Sequence, residues 1–110
     1  MKMINWDLEE SVALMHLYFS SGAAIPVDQE LVLALSCKMR HRGELLQYEI
    51  DDKFRNVAGL NMQLACIHYV VTDGKEGLSG ASRLFYETYD LYLKNKIVFN
   101  RIVKEFNRKY

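Results

Sequence analysis

The sequence has little of several features on which small domains often depend. Its 110 residues include one proline and two cysteines, and 14 basic side chains balance 14 acidic ones. Two cysteines are too few for the disulfide framework of a small secreted domain. No apolar run reaches the roughly 18 residues of a membrane span, and the first residues lack the apolar stretch of a signal peptide. We therefore expect one domain, residues 1–110, in the cytoplasm and with no membrane partner.

The absence of net charge argues against a protein that coats nucleic acid, since phosphate binding at physiological salt depends on surplus lysine and arginine. The charges are unevenly distributed along the chain, however. Residues 1–37 hold one basic and five acidic side chains, whereas residues 80–110 hold seven basic and three acidic ones. A basic face is therefore expected late in the chain.

Apolar residues recur every three or four positions, which predicts an all-α fold with four helices. The predicted helices cover about 7–20, 27–41, 56–71 and 81–107. Asp7 and Glu10 have the spacing of a capping box, and Asn56 is a good cap for the third helix. Pro26 suits the first turn of the second helix and Gly43 its carboxyl-terminal cap. Residues 44–53 follow neither period and are predicted to form a loop packed on the core.

The last predicted helix is long for so small a domain. Neither glycine nor proline interrupts residues 81–107, and an apolar row runs along them with one break, at Lys96. Three shorter helices are not expected to cover so much apolar surface, which predicts a partner, most simply a second copy of the chain. The predicted homodimer interface consists of Tyr92, Phe99, Val103 and Phe106.

Residues that carry catalysis or bind metals are sparse. Cys37 and His41 lie four positions apart, but Cys66 and His68 lie two apart and so face opposite sides of a helix. We therefore predict no metal site, a buried cysteine in each helix and histidines at or near the surface. The glycine-rich loop 74–80 lacks the Gly-Lys-Ser/Thr of a nucleotide-binding loop, and no nucleophile motif is present. We predict no enzyme activity and no cofactor.

Residues 54–64 contain the clearest candidates for DNA contact. Arg55 and Asn56 begin the third helix, and Asn61 and Gln63 lie away from its apolar stripe. Arginine can bond guanine through two hydrogen bonds, and asparagine or glutamine can bond adenine in the same way. The start of this helix could therefore read a major groove. In the simpler alternative, Asn56 only caps the helix and Arg55 only pairs with a neighbouring aspartate.

Three motifs support a family resemblance. They are Trp6-Asp7-x-Glu9-Glu10, Phe54-Arg55-Asn56-x-x-Gly59-Leu60, and Thr72-x-Gly74-Lys75-x-Gly77-Leu78-Ser79 followed by Ser82. With them, residues 6–92 resemble the amino-terminal helical domain that precedes the HNH nuclease domain in a group of bacterial restriction endonucleases. The resemblance implies a DNA-recognition module, with Arg55, Asn56 and the loop Lys75–Ser82 as the matching positions. It implies no cleavage, because the chain ends where that nuclease domain would begin. The chain departs from the family at Gln63, where lysine is common.

Two hypotheses follow. The first is a non-catalytic module that binds duplex DNA and is related to restriction systems. Its contact residues would be Arg55, Asn56, Asn61, Gln63, Lys75, Ser79, Ser82 and Arg83. The second is a protein-interaction module, such as a phage or bacterial factor that docks on a nuclease or defence complex. Under the first hypothesis Arg55, Lys75 and Arg83 should converge on one exposed face. Scatter of these residues, or pairing of Arg55 with Asp51 or Asp52, would favour the second.

Overall fold

The structure, a computed structural model, describes residues 4–110. Within that range the chain is all-helical, with turns and loops but no strand, and this confirms the predicted fold class. The five helices are α1 Leu8–Ser20, α2 Gln29–Leu45, α3 Val57–Val71, α4 Arg83–Lys94 and α5 Lys96–Lys109. None of the helices in residues 4–110 combines the length and the hydropathy that crossing a membrane would take.

The predicted caps of α1 and α3 are confirmed. The Asp7 side chain accepts from the Glu10 amide at 3.0 Å, and the Glu10 side chain accepts from the Asp7 amide at 3.4 Å. Asn56 accepts from the Gly59 amide at 2.8 Å. A Cβ on Gly59 would lie 3.0 Å from that Asn56 oxygen, so glycine leaves room for the cap. These bonds satisfy amides that the first turn of a helix leaves without partners.

The helix α2 is found near its predicted position, about 27–41, but begins two residues later and ends four residues later. The helix begins at Gln29 because Asp28 is its N-cap and accepts from the Glu30 amide at 2.9 Å, so Pro26 lies outside it. At the other end the helix continues past Gly43 to Leu45. Gly43 has a packing role: a Cβ there would lie 2.8 Å from a ring carbon of Phe54. Because Gly43 has no side chain, the loop that follows α2 packs closely against the helix at this position.

The single helix predicted over 81–107 is divided at Asn95. The backbone of Asn95 leaves the helical region (φ −145°, ψ 69°), and its side chain accepts from the Val98 amide at 3.3 Å as the cap of α5. Asparagine is among the best N-caps, so a helix can restart there without glycine or proline. The break lies beside Lys96, where the apolar row is interrupted.

The core is centred on α1, which packs against all four other helices. Its buried residues include Val12, Leu14 and Met15, and those of α5 include Phe99 and Phe106. Dividing the last helix lets α5 turn back onto α1. The chain therefore covers by itself much of the apolar surface that led us to predict a partner.

Candidate functional site

Arg55 is held inside the protein by Glu10. Its Nε and Nη2 atoms donate to the two Glu10 carboxylate oxygens at 2.6 and 3.1 Å. The side chains retain only 8% and 2% of their accessible areas. Nη2 also donates to the backbone carbonyls of Ile4 and Asn5. Arg55 is thus not on an exposed face, which corrects its prediction as a DNA contact, and its partner is Glu10 rather than Asp51 or Asp52.

A second arginine extends this ion pair into a network. The Arg42 side chain, also buried, lies 2.8 Å from an Asp7 carboxylate oxygen through Nη2 and 4.0 Å from Glu10 through Nη1. Burial lowers the pKa of Arg42, but the hydrogen bond and charge of Asp7, aided by Tyr110 and Glu10, outweigh it and raise the pKa overall. Arg42 therefore stays charged. The ion-pair network (Asp7, Glu10, Arg42 and Arg55) joins the start of α1 to the end of α2 and the start of α3.

Aromatic rings enclose the Arg55 guanidinium. Its central carbon lies 4.7 Å from the centre of the Trp6 indole ring and 4.5 Å from that of the Phe54 ring. Arg55 has a φ of 47°, an uncommon left-handed conformation for a side-chain-bearing residue. Ser36 stabilises it by donating to the Arg55 carbonyl at 2.6 Å. The Trp6-x-x-x-Glu10 and Phe54-Arg55 motifs therefore contact each other where the start of α1 meets the start of α3.

The other predicted contacts of α3 differ in availability. Asn56 is the helix cap, as the simpler alternative proposed. Asn61 exchanges hydrogen bonds with Gln29, at 2.8 and 3.1 Å. Gln63 is half-buried and lines a groove described below. A base-reading surface made of Arg55, Asn56 and Asn61 would first have to give up these internal bonds.

The predicted contacts after α3 are exposed. Lys75, Ser79 and Ser82 lie on the surface, and Arg83 is 92% exposed while pairing with Glu87 at 3.0 Å. Arg55 precedes the amino end of α3 and Lys75 follows its carboxyl end. The structure therefore does not gather Arg55, Lys75 and Arg83 on a single exposed face.

The glycine-rich loop packs closely on α3. A Cβ on Gly77 would lie 2.5 Å from the Ala65 carbonyl oxygen and 2.7 Å from the Tyr69 nitrogen. Leu78 donates its amide to the same Ala65 oxygen at 3.0 Å. Gly77, with a φ of 92°, is thus required for a close backbone contact.

Most of the predicted dimer interface is buried within the chain. Phe99, Val103 and Phe106 are core residues. Tyr92 is half-buried, with its ring stacked on Phe19 at 4.0 Å between centres. The three core residues cannot meet a second chain in this fold, so this part of the prediction is wrong. It assumed a continuous helix, whereas α5 turns back at Asn95 to bury them.

Cys66 is buried as predicted, whereas Cys37 and His68 differ from expectation. Cys37 is exposed rather than buried, and His68 is buried rather than at the surface. His68 Nδ1 shares a hydrogen bond with the Tyr18 hydroxyl at 2.6 Å, and its Nε2 lies 2.9 Å from a Glu76 oxygen. Burial, followed by the charges of Tyr89 and Glu76, raises the pKa of Tyr18. This chain of bonds links α1 and α3 to the glycine-rich loop and runs from the fully buried Tyr18 to the exposed Glu76.

A groove opens beside the ion-pair network, between the start of the chain, the loop after α2 and the first turns of α3. We call it the Trp6 groove, and its volume is about 560 Å³. The apolar residues Trp6, Ile50, Phe54 and Met62 line it, together with the charged residues Glu49, Asp51, Lys53 and Arg55. Sequence reasoning missed it because it placed Trp6 and Phe54 only in motifs. Tyr48, Ile50 and Phe54 in an aperiodic loop were the available signal.

The basic face expected late in the chain lies on α5. Ile97, Arg101, Lys104 and Arg108 recur at steps of four, three and four and are all exposed, so they form one outward row. We call these four residues the α5 row. Arg101 and Arg108 are about 10 Å apart along the axis, and Arg108 pairs with Glu105 at 2.6 Å. The spacing was visible in the sequence but was assigned to the dimer helix.

Among residues 4–110, no group of three or more His, Cys, Asp or Glu side chains is placed to hold a metal ion. Comparison with models of known families, with curated protein sequences and with solved structures found no match to this chain. The resemblance to restriction endonucleases therefore stays a prediction.

Proposed function

We propose that this chain is a non-catalytic protein-interaction module. The observation that carries the proposal is the bond from Arg55 to Glu10, because it removes the central residue of the DNA-reading hypothesis from the surface. The groove beside that bond offers an apolar surface of the kind that a partner could cover. A role in bacterial restriction or phage defence is part of the proposal and rests on the resemblance of residues 6–92.

The test is recovery of a defined partner. Tagged protein is incubated with lysate of its source cells, retained proteins are identified by mass spectrometry, and each candidate is purified and recombined with the chain. A complex seen by sedimentation with purified components would support the proposal. A chain that sediments as a monomer and retains no protein would contradict it.

A second candidate function is duplex DNA binding through the α5 row. The supporting observation is charge: α5 holds five basic residues and one acidic residue, and three of the basic ones belong to the row. Such a surface would contact phosphates, which gives affinity without sequence readout. The contact residues would then be Arg101, Lys104 and Arg108 rather than those at the start of α3.

Fluorescence anisotropy with a labelled duplex distinguishes the α5 row from the exposed basic residues Lys75, Arg83 and Lys94 as the DNA-binding surface. If the α5 row binds, the Arg101→Ala/Lys104→Ala/Arg108→Ala variant loses binding, and the salt slope of about −3 for three phosphate contacts disappears. The matched control, Lys75→Ala/Arg83→Ala/Lys94→Ala, removes three exposed basic residues elsewhere and should bind normally. Loss in the control alone would favour the surface of Lys75, Arg83 and Lys94 instead. Absence of binding at low salt, with methylated and unmethylated duplexes, would exclude both models.

A further inference from the structure

We infer that the Trp6 groove docks a segment of a partner protein that carries an aliphatic side chain next to a lysine or arginine. The inference rests on the proposed interaction function and names the chemistry of the partner. Three features of the groove support it: its apolar wall, the sign of its exposed charges and its hydrogen-bonding groups.

The apolar wall is large enough for a side chain of the partner. At about 560 Å³ the groove falls in the size range of sites that enclose ligands, about 300–1,000 Å³. Trp6, Ile50 and Phe54 are half-buried, and the Met62 side chain is 53% exposed. Methionine adapts its shape to different apolar partners, so Met62 suits a docking surface. An aliphatic side chain of the partner would cover the apolar surface that these four residues expose to water.

The charges at the groove favour a cation. Glu49 and Asp51 line it and are exposed, with Asp52 next to them in the chain. Lys53 also lines the groove and contributes an exposed positive charge. The positive charge of Arg55 is balanced by Glu10. Phosphate would meet two carboxylates here, whereas a lysine or arginine would be attracted. With Lys53 included, the exposed residues that line the groove carry a net charge of one negative, which favours a basic protein segment over a nucleic acid.

Gln63 can bond the backbone of a partner. It lines the groove, and its side-chain amide can both donate and accept a hydrogen bond, as a peptide group does. An extended segment could therefore bond the amide nitrogen and oxygen of Gln63 while its side chains meet the apolar wall and the acids.

The α5 row of a second copy has similar chemistry, since Ile97 is followed by Arg101 on the same face. Ile97 is 75% exposed. We favour a separate partner because binding the α5 row of a second copy to the groove is a head-to-tail contact. Such contacts build open chains of molecules unless a ring closes. Sedimentation over a range of concentrations distinguishes these two occupants.

The probe is the peptide acetyl-Gly-Lys-Leu-Lys-Leu-Gly-amide. Trp6 is the only tryptophan and lines the groove, so its emission reports binding directly. Saturable change in that emission, with NMR shifts at the amides of residues 49–54 and 62–63, is the expected result. The same peptide with glutamate for lysine, or serine for leucine, should bind at least about fivefold more weakly. Equal binding of the glutamate peptide, or shifts only elsewhere, would overturn the inference.

Matched variants complete the test. Met62→Glu should lower peptide affinity at least about fivefold, whereas Leu33→Glu, at a side chain 54% exposed on α2, should not. Glu49→Lys should also weaken binding, and Glu30→Lys should leave it unchanged.

The same variants separate this inference from the proposed function. A purified partner that still binds the Met62→Glu and Glu49→Lys variants would overturn the groove as the docking site and leave the proposed interaction function intact. If the chain self-associates and Met62→Glu abolishes this, the occupant of the groove is a second copy of the chain, and the inference of a separate partner is overturned. Peptide binding in the groove of a chain that retains no protein would contradict the proposed function alone.

Discussion

The Arg55 guanidinium donates two parallel hydrogen bonds, of 2.6 and 3.1 Å, to the Glu10 carboxylate. The two residues are 45 positions apart in the sequence. Paired, planar bonds of this kind are stronger and more directional than a single contact. Because both side chains are buried, water would not solvate the remaining charge if its partner were removed. The pair therefore holds the start of α3 against α1.

Replacing Arg55 should destabilise the protein rather than only change a binding surface. We expect Arg55→Ala to lower the free energy of unfolding by about 3 kcal/mol, because Glu10 would be left buried with only the more distant Arg42 near it. Arg55→Lys should recover little of this loss, since an ammonium cannot reproduce the two-point bond or the contact with Trp6 and Phe54. Urea unfolding measures both variants.

Arg83→Ala is the matched control for this prediction. Its pair with Glu87 is exposed at both side chains, so its removal should cost at most about 1 kcal/mol. If Arg55→Ala is no more costly than Arg83→Ala, the buried pair does not stabilise the fold as we argue. Replacing Arg55 and Glu10 together by methionine and glutamine should recover part of the loss.

Gly77 should not tolerate a side chain. In Gly77→Ala, the left-handed φ adds strain and the new Cβ would lie 2.5 Å from the Ala65 carbonyl oxygen, against backbone that cannot move easily. We expect a loss of about 2–3 kcal/mol. Hydrogen exchange at the Leu78 amide, which donates to the same oxygen, should become faster in the variant.

Gly22→Ala isolates the backbone part of that effect. Gly22 has a similar φ of 90° but no atom within 4 Å of a built Cβ. It should therefore cost only the conformational strain, about 1 kcal/mol. Equal losses at the two glycines would show that the loop can shift away from α3.

Asn95 should be needed for the division between α4 and α5. Asn95→Ala removes the acceptor of the Val98 amide and should cost about 1 kcal/mol, whereas Asn95→Asp keeps an acceptor and should cost less than about half of that. Thermal unfolding followed by circular dichroism measures both. A rise in stability with alanine would mean that the cap does not stabilise the turn.

Local signals in the sequence predicted the elements of this fold better than their ends or partners. The caps at Asp7 and Asn56 depend on residues three positions away, so short-range spacing was sufficient. The division at Asn95 was missed because a good cap residue and one break in the apolar row do not by themselves show that α5 packs back onto α1. Lys96, which interrupts the apolar row, marks that division in hindsight.

The candidate site was less predictable for the same reason. Arg55 was recognised as unusual, but its partner Glu10 lies 45 residues away and in another helix. Arg55 was assigned to DNA contact, and Trp6 and Glu10 entered only as residues of a motif, whereas the three side chains meet in a contact between elements. The Trp6 groove forms only after those elements have met.

Alkaline pH should destabilise the protein through Cys66 and Tyr18. Burial raises the pKa of the Cys66 thiol above its ordinary value of 9.0, and burial with the charges of Tyr89 and Glu76 raises that of Tyr18 above 10.0. The unfolded chain therefore loses these protons at lower pH than the folded chain does. The resulting stability is complete below pH 9 and is lost as the pH rises toward the folded-state values.

Urea unfolding at about pH 7 and at about pH 10 tests this sign. Cys66→Ala should reduce the alkaline loss of stability, and Cys37→Ala should not, because Cys37 is exposed. Iodoacetamide should accordingly label Cys37 in the folded protein and Cys66 only when urea unfolds it. Labelling of Cys66 at the same rate as Cys37, or a stability that rises between those two pH values, would contradict the burial of this thiol as the cause.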